Sequence, residues 1–224
     1  LAKGFLESAE LPLEERYRSY VEVFPGDAVR RLLRLNGAVR TDRIGEAFRW
    51  AQGEDALNRM LAVDAETQLP DDLLLLTDKM SMATSLECRV PLLNHELVEL
   101  AARMPQDVKI RNGRLKHVMK EAVSDILPRE ILERKKRGFG TPMGAWLKQD
   151  LAPVMHALLS EPSLGRRGFF NPAEVRELIG LHDANRIDGT DRLLALMNLE
   201  IWARLYLDRC TPEDVSAELE EHVH

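Results

Sequence analysis

The sequence predicts an all-α fold. Three observations carry this: apolar residues recur at spacings of three and four in segment after segment, no stretch alternates apolar and polar side chains as a half-buried strand would, and prolines with Pro-Gly and Asn-Gly pairs cut the chain into short helical lengths. The expected division is a helical body over residues 1–208 and an acidic tail over 209–224.

In chain order, helices are expected over 2–8, 13–24 and 27–35, with Tyr17, Tyr20, Val21 and Phe24 on one side of the second and Pro25-Gly26 separating it from the third. Segments 43–51 and 54–66 continue the pattern, with Leu57, Met60, Leu61 and Asp64 at helical spacing. The stretch 70–94 organises the rest. Pro70 with Asp71 and Asp72 suits a helix start, and Pro91 disfavours helix at the residue before it. Between them Leu73, Leu76, Met80 and Ala83 form one stripe, expected to face the interior, and Glu87 takes the next position on it. A carboxylate that inherits an apolar stripe is either paired, with Arg89 the nearest candidate, or placed for chemistry. The residues alone leave both readings open.

Residues 95–104 form an amphipathic segment ending at Pro105, and a basic turn over 109–114 leads to a helix over 115–127, with Val118, Met119, Ala122, Val123 and Ile126 on its face. Arg134, Lys135, Lys136 and Arg137 precede Gly138, Gly140 and Gly144; repelling cations followed by glycines and Pro142 cannot hold a helix, so a loop is expected. Helix resumes over 145–159. Asn171 caps a helix that starts at Pro172 and runs to about residue 185, and 190–207 is the clearest helix of all. Trp50, Trp146 and Trp202 are expected as packing anchors.

With 45% apolar and 30% charged residues among 224, the chain can bury a real core, and a net charge of −6 argues against a general nucleic-acid binder. Cys88 and Cys210 form no disulfide framework or Cys-x-x-Cys pair, and the six histidines lack ligand spacing, so no metal site is expected. No segment approaches the roughly 18–20 apolar residues of a membrane span. A soluble, cytoplasmic protein without membrane or nucleic-acid partners is the expectation.

Asp78-Lys79-Met80-Ser81-Met82-Ala83, then Ser85-Leu86-Glu87-Cys88-Arg89-Val90-Pro91-Leu92-Leu93, then Lys135-Lys136-Arg137-Gly138-Phe139-Gly140-Thr141-Pro142 resembles the C-terminal half of glutamine-dependent asparagine synthetases. The resemblance covers most of the chain, about residues 5–207. It implies the helical C-terminal part of an α/β ATP pyrophosphatase synthetase domain, in which the aspartate side chain is adenylated and ammonia displaces AMP. By the same resemblance Glu87 matches the carboxylate beside the acyl-adenylate and Lys136 the lysine reaching the intermediate and departing phosphates. Asp78 and Arg89 become substrate-binding candidates, with a structural ion pair still open for each. These residue types suit the chemistry: attacking ammonia must lose protons, which a carboxylate can accept, and charge developing on phosphate oxygens needs an aimed cation.

Departures from the resemblance are specific. Asn94 stands where the family has Asp, and Leu76 or Thr77 where a Lys is frequent. Neither a Ser-Gly-Gly-x-Asp-Ser phosphate loop nor a Gly-Glu-x-x-Asp-Glu-x-Phe-Gly-Gly-Tyr segment occurs, and Leu1 rather than a glutaminase cysteine opens the chain. The 224 residues are therefore expected to begin just after the second motif. ATP and Mg²⁺ are then expected to be held mainly by segments not among them. The expected partners are the nucleotide-binding and glutaminase segments, with aspartate and ammonia or glutamine as substrates; a homodimer stays open. Two alternatives remain: a related amidotransferase acting on another carboxylate, and a non-catalytic helical module.

Overall fold

The computed structural model describes residues 8–34, 41–51, 54–135 and 141–222. Its helices in chain order are α1 (Leu13–Val21), α2 (Gly26–Leu32), α3 (Arg43–Trp50), α4 (Ala56–Glu66), a π-helical turn (Leu69–Leu74), α5 (Leu75–Met82), a 3₁₀ turn (Pro91–Leu93), α6 (His95–Arg103), α7 (Gln106–Lys109), α8 (His117–Ala122), α9 (Arg129–Glu133), α10 (Met143–Lys148), α11 (Ala152–Leu158), α12 (Glu161–Arg167), α13 (Pro172–Asp183), α14 (Thr190–Tyr206) and α15 (Pro212–Glu220). Among the described residues β pairing is limited to two isolated bridges, Leu33 with Phe170 and Arg111 with Arg114. The chain divides into two compact units, residues 1–21 with 40–136 and residues 22–39 with 137–224.

In the first unit a small core forms where α1, α3 and α4 meet, from Tyr17, Ala47, Phe48 and Val63, with Leu13, Val21, Ile44 and Met60 against it. Tyr17 meets Phe48 edge to face at 5.3 Å, and its hydroxyl donates to Asp64 Oδ1 at 2.7 Å, so the polar end of a buried ring is satisfied. Burial pushes the Tyr17 phenol above its ordinary value. The start of α3 is fixed by Asp42, whose carboxylate accepts the Gly45 N–H at 3.1 Å and the Arg18 guanidinium at 2.6 Å. A Cβ on Gly45 would lie 2.3 Å from Asp42 Oδ2, so the cap requires glycine there.

Beyond α4 this core ends. No residue from 64 to 131 is buried. The single helix expected from 70 towards 90 is divided instead. Pro70 has no N–H, and the Leu75 N–H reaches back five residues to its carbonyl, which produces the π turn. At the other end Leu86 N–H bonds Ser81 O and Ser85 N–H bonds Met82 O, both at 3.0 Å, while Ser85 takes φ 60°. That is a Schellman stop with serine in the left-handed position glycine usually fills. The expected interior stripe is accordingly corrected: Leu73, Leu76 and Met80 are exposed. Of the helix expected over 115–127 only His117–Ala122 forms, because Lys116 before it is left-handed at φ 55°.

The second unit holds the larger core, built from Leu32, Leu147, Val154, Met155, Leu158, Leu164, Phe170, Val175, Leu193, Leu196 and their neighbours. Helix α2 joins it through a short antiparallel contact in which Asn171 N–H donates to Leu32 O at 2.8 Å and Arg34 N–H to Phe169 O at 3.0 Å. Asn171 caps α13 with Pro172 at its first position, as the sequence predicts. Helix α14 matches expectation closely and buries Leu193, Leu196, Met197 and Ala203. None of the three expected tryptophan anchors is buried: Trp50 is 74% exposed, Trp146 is exposed, and Trp202 is exposed and stacks on the still more exposed Tyr206 at 5.8 Å. Within 209–222, α15 starts with a capping box between Thr211 and Asp214, buries Val215, and receives an ion pair from Arg204 to Glu218 at 2.7 Å.

Candidate functional site

The motif segment lies on the coreless part of the first unit. Past the Schellman stop the chain has no regular secondary structure up to Pro91, and Glu87 sits on this irregular run rather than on a helical stripe. Its carboxylate pairs with Arg89 at 3.0 Å, with the two side chains 69% and 83% exposed. The pairing anticipated from sequence is present and the burial is not. An ion pair this exposed contributes only about 0–1 kcal/mol, so the carboxylate can exchange Arg89 for another partner at little cost.

Asp78 lies on α5 with its side chain exposed, and its backbone carbonyl accepts the Ser81 hydroxyl at 3.2 Å. Lys136 falls outside the described residues. Lys135 before it is exposed, and the chain resumes at Thr141 and Pro142, whose carbonyl accepts the Ala145 N–H at 3.0 Å and the Trp146 N–H at 3.1 Å to start α10. The structure therefore brings Glu87 and Arg89 together and sets Asp78 on the preceding helix. Asn94, standing where the resemblance expects Asp, acts locally, since its Oδ1 accepts the Glu96 N–H at 3.0 Å and caps α6.

Around these groups Leu73, Leu76, Met80, Leu86, Val90 and Leu92 all stand exposed, an apolar field with polar groups set into it. The cations of the basic turn are largely committed. Lys109 donates to Asn58 Oδ1, with burial pushing its ammonium below the ordinary value, and Arg114 pairs with Glu121. Asn112 and Gly113, both at positive φ, make the tight turn between the bridged Arg111 and Arg114. Sequence reasoning missed the left-handed Ser85 beside Glu87, because no glycine marks it. Among the described residues no three His, Cys, Asp or Glu side chains gather as a metal site, so no Mg²⁺ ligand is assigned to them. Among them, too, no helix is long and apolar enough to cross a membrane.

Comparison with known proteins gives a consistent result. Residues 3–204 match the family described as asparagine synthase. The chain is 30% identical over 223 residues to the glutamine-hydrolysing asparagine synthetase 1 of Bacillus subtilis, covering 98% of this chain and 35% of that one. It is 29% identical over 217 residues to a provisionally named glutamine-hydrolysing asparagine synthetase of Mycobacterium bovis, covering 96% and 33%. Over a shorter span of 65 residues it is 40% identical to the glutamine-hydrolysing asparagine synthetase of Mus musculus, covering 28% and 12%. The chain thus spans about a third of the length of the first two of these relatives. No solved structure matches it.

Proposed function

The chain belongs to the asparagine synthase family, and on that premise we propose that it forms the helical wall of an adenylation site at which aspartate is amidated to asparagine. In this reading an oxygen of the aspartate side-chain carboxylate attacks the α-phosphorus of ATP and pyrophosphate leaves. Ammonia then adds to the acyl carbon, the bond from that carbon to the AMP oxygen breaks, and the nitrogen gives up its surplus proton. Glu87 accepts that proton, releasing Arg89 as it turns to the substrate. Lys136 is the cation aimed at the phosphate oxygens, and Asp78 and Arg89 serve substrate binding.

The observation that supports this reading is the surface on which the motif lies. Helices cannot hold together over residues 64–131 without burying an apolar face somewhere. An exposed apolar field around a weakly held carboxylate suits a wall that closes on a second body. That body is proposed to be the family's nucleotide-binding segment, which carries the phosphate loop these 224 residues lack. Phosphate binding needs backbone N–H groups at a glycine-rich turn before a helix. The glycines here follow four cations, and Pro142 has no N–H to give.

The test is aspartate-dependent exchange of labelled pyrophosphate into ATP. The chain alone is expected to give none, the chain with the nucleotide-binding segment supplied is expected to give exchange, and a complete asparagine synthetase is the positive control. Exchange by the 224 residues alone would overturn the placement of the nucleotide site, and none after addition of the segment would overturn the adenylation reading.

A further inference from the structure

A second place in the molecule has the composition of a binding site and takes no part in the proposed amidation. In the second unit an open cleft of about 480 Å³ is lined by Thr141, Lys148, His182, Asn185, Asp188 and Asp191, among others. Its back is tight. A Cβ on Gly144 would come within 2.7 Å of Thr190 Oγ1, so glycine lets the first turn of α10 lie directly on the first residue of α14. At the start of α14 Asp188 Oδ1 accepts the Thr190 N–H at 3.1 Å and its hydroxyl at 2.7 Å, so a carboxylate already sits against the first N–H of the helix.

What remains unsatisfied is a pair of opposite charges and one buried donor. Lys148 Nζ is held by the neutral Asn185 Oδ1 at 2.5 Å and makes no ion pair among the described residues. Asp191 has no hydrogen-bond or ion-pair partner among them, and the second oxygen of Asp188 is free in the same sense. The hydrogen bonds from Thr190 hold the Asp188 carboxyl below its ordinary value, and the positive charge of Lys148 adds a smaller effect in the same direction. His182 is 1% exposed; its Nδ1 accepts the Gly189 N–H at 3.2 Å, which puts the proton of the neutral ring on Nε2, and Nε2 has no partner. A buried donor without an acceptor is uncommon in native proteins and points to a missing partner.

From these groups we infer that the cleft binds a small zwitterion, a free α-amino acid, with its carboxylate at Lys148 and its ammonium between Asp188 and Asp191. A simple cation would leave Lys148 repelling it and a simple anion would meet both carboxylates, whereas a dipolar ligand satisfies both walls. The volume accommodates an amino acid with its side chain and some water. The residues of the cleft all belong to the second unit, and the inference does not depend on the adenylation reading.

The experiment is a titration of the full chain with L-alanine, L-aspartate and L-glutamine, with ethylammonium and acetate as single-charge controls. It is followed by the amide resonances of Gly189 and Asp191 and by calorimetry. At least one amino acid is expected to saturate, with both controls at least about tenfold weaker, and Lys148→Gln and Asp191→Asn each to weaken it by at least about tenfold, as loss of a charged hydrogen bond does. Far-UV circular dichroism establishes that both variants fold; should either fail to, Lys148→Arg and Asp191→Glu replace them, with weakened but retained binding expected. Controls that bind as well as the amino acids, no saturation by any of them at about 10 mM, or affinity unchanged in either variant would overturn the inference.

Discussion

Arg167 and Glu200 meet as a two-pronged ion pair inside the second unit, Nε to Oε2 at 3.0 Å and Nη2 to Oε1 at 3.1 Å, with both side chains within a tenth of full burial. Arg204 adds a third bond to the same carboxylate at 3.1 Å and Ser163 a fourth at 3.3 Å. Removing one member of such a group leaves charge stranded in the interior. Glu200→Ala is expected to lower unfolding free energy by about 3–5 kcal/mol, read as a fall in urea midpoint at constant slope. A loss under about 1 kcal/mol would mean that Asp208 and Glu218 compensate the two arginines unaided.

Asp208 gives the acid dependence a direction. The Arg167 guanidinium, bonded to it at 2.9 and 2.6 Å, holds its carboxyl below the ordinary 3.8. A carboxyl lowered in the folded state contributes stability above its unfolded pKa, and that contribution disappears as pH falls through the folded value. Asp208→Asn is therefore expected to lower the melting temperature at pH 6 and to leave it nearly unchanged at pH 2. Melting curves at both pH values decide it; an equal deficit at both would show that the charge is not the cause.

Glu87→Gln, in a complete enzyme, is expected to reduce asparagine synthesis by about 10²- to 10⁴-fold, the range for a positioned proton acceptor. Because the Glu87–Arg89 pair is exposed, the melting temperature should hardly move. A variant that synthesises normally but melts many degrees lower would return Glu87 to a structural role.

The neighbouring cations Lys135 and Lys136 provide an internal control. Lys136→Ala is expected to slow the adenylate-dependent step far more than Lys135→Ala, since both remove one charge from one run and only an aimed donor distinguishes them. Equal rate losses would leave Lys136 a solvated charge.

Ser85→Gly tests the strain beside the motif. Serine at φ 60° carries a left-handed cost of roughly 1–2 kcal/mol that glycine avoids, partly offset by the greater freedom of glycine when unfolded. A net gain of about 0.5–1 kcal/mol in chemical denaturation is expected. A loss instead would mean that the serine side chain holds the turn.

How far the sequence carries can be judged from α14 and α5. Both have apolar residues at helical spacing, yet α14 is legible to within a residue, whereas the stripe of α5 reads as interior and stands in the open. Periodicity reports that a face is apolar, not that anything within the same chain covers it. The limits of α5 are hidden for a second reason: a proline that leaves its carbonyl to a residue five further on, and a serine in the place of glycine, both follow from hydrogen-bond geometry that spacing does not encode. The pairing of Glu87 with Arg89 is legible only as nearness in sequence; on the helix expected there the two would face different sides, and the end of the helix at Ser85 is what lets them meet. The Lys148, His182 and Asp191 cleft has no sequence signal, since its members come from three helices.

The lack of any buried residue between 64 and 131 also fixes an order of opening. Amide hydrogens of α11, α13 and α14, whose helices share one interior, exchange with solvent only when that interior is lost as a whole. Those of α5, α6 and α8 need no such event and trade their hydrogens through local fraying, within seconds to minutes rather than the far longer times set by global unfolding. Deuterium uptake along the chain would therefore show a slow C-terminal block beside a fast central one. Whatever body lies against the central helices would be registered as the slowing of that fast block, at the amides it covers.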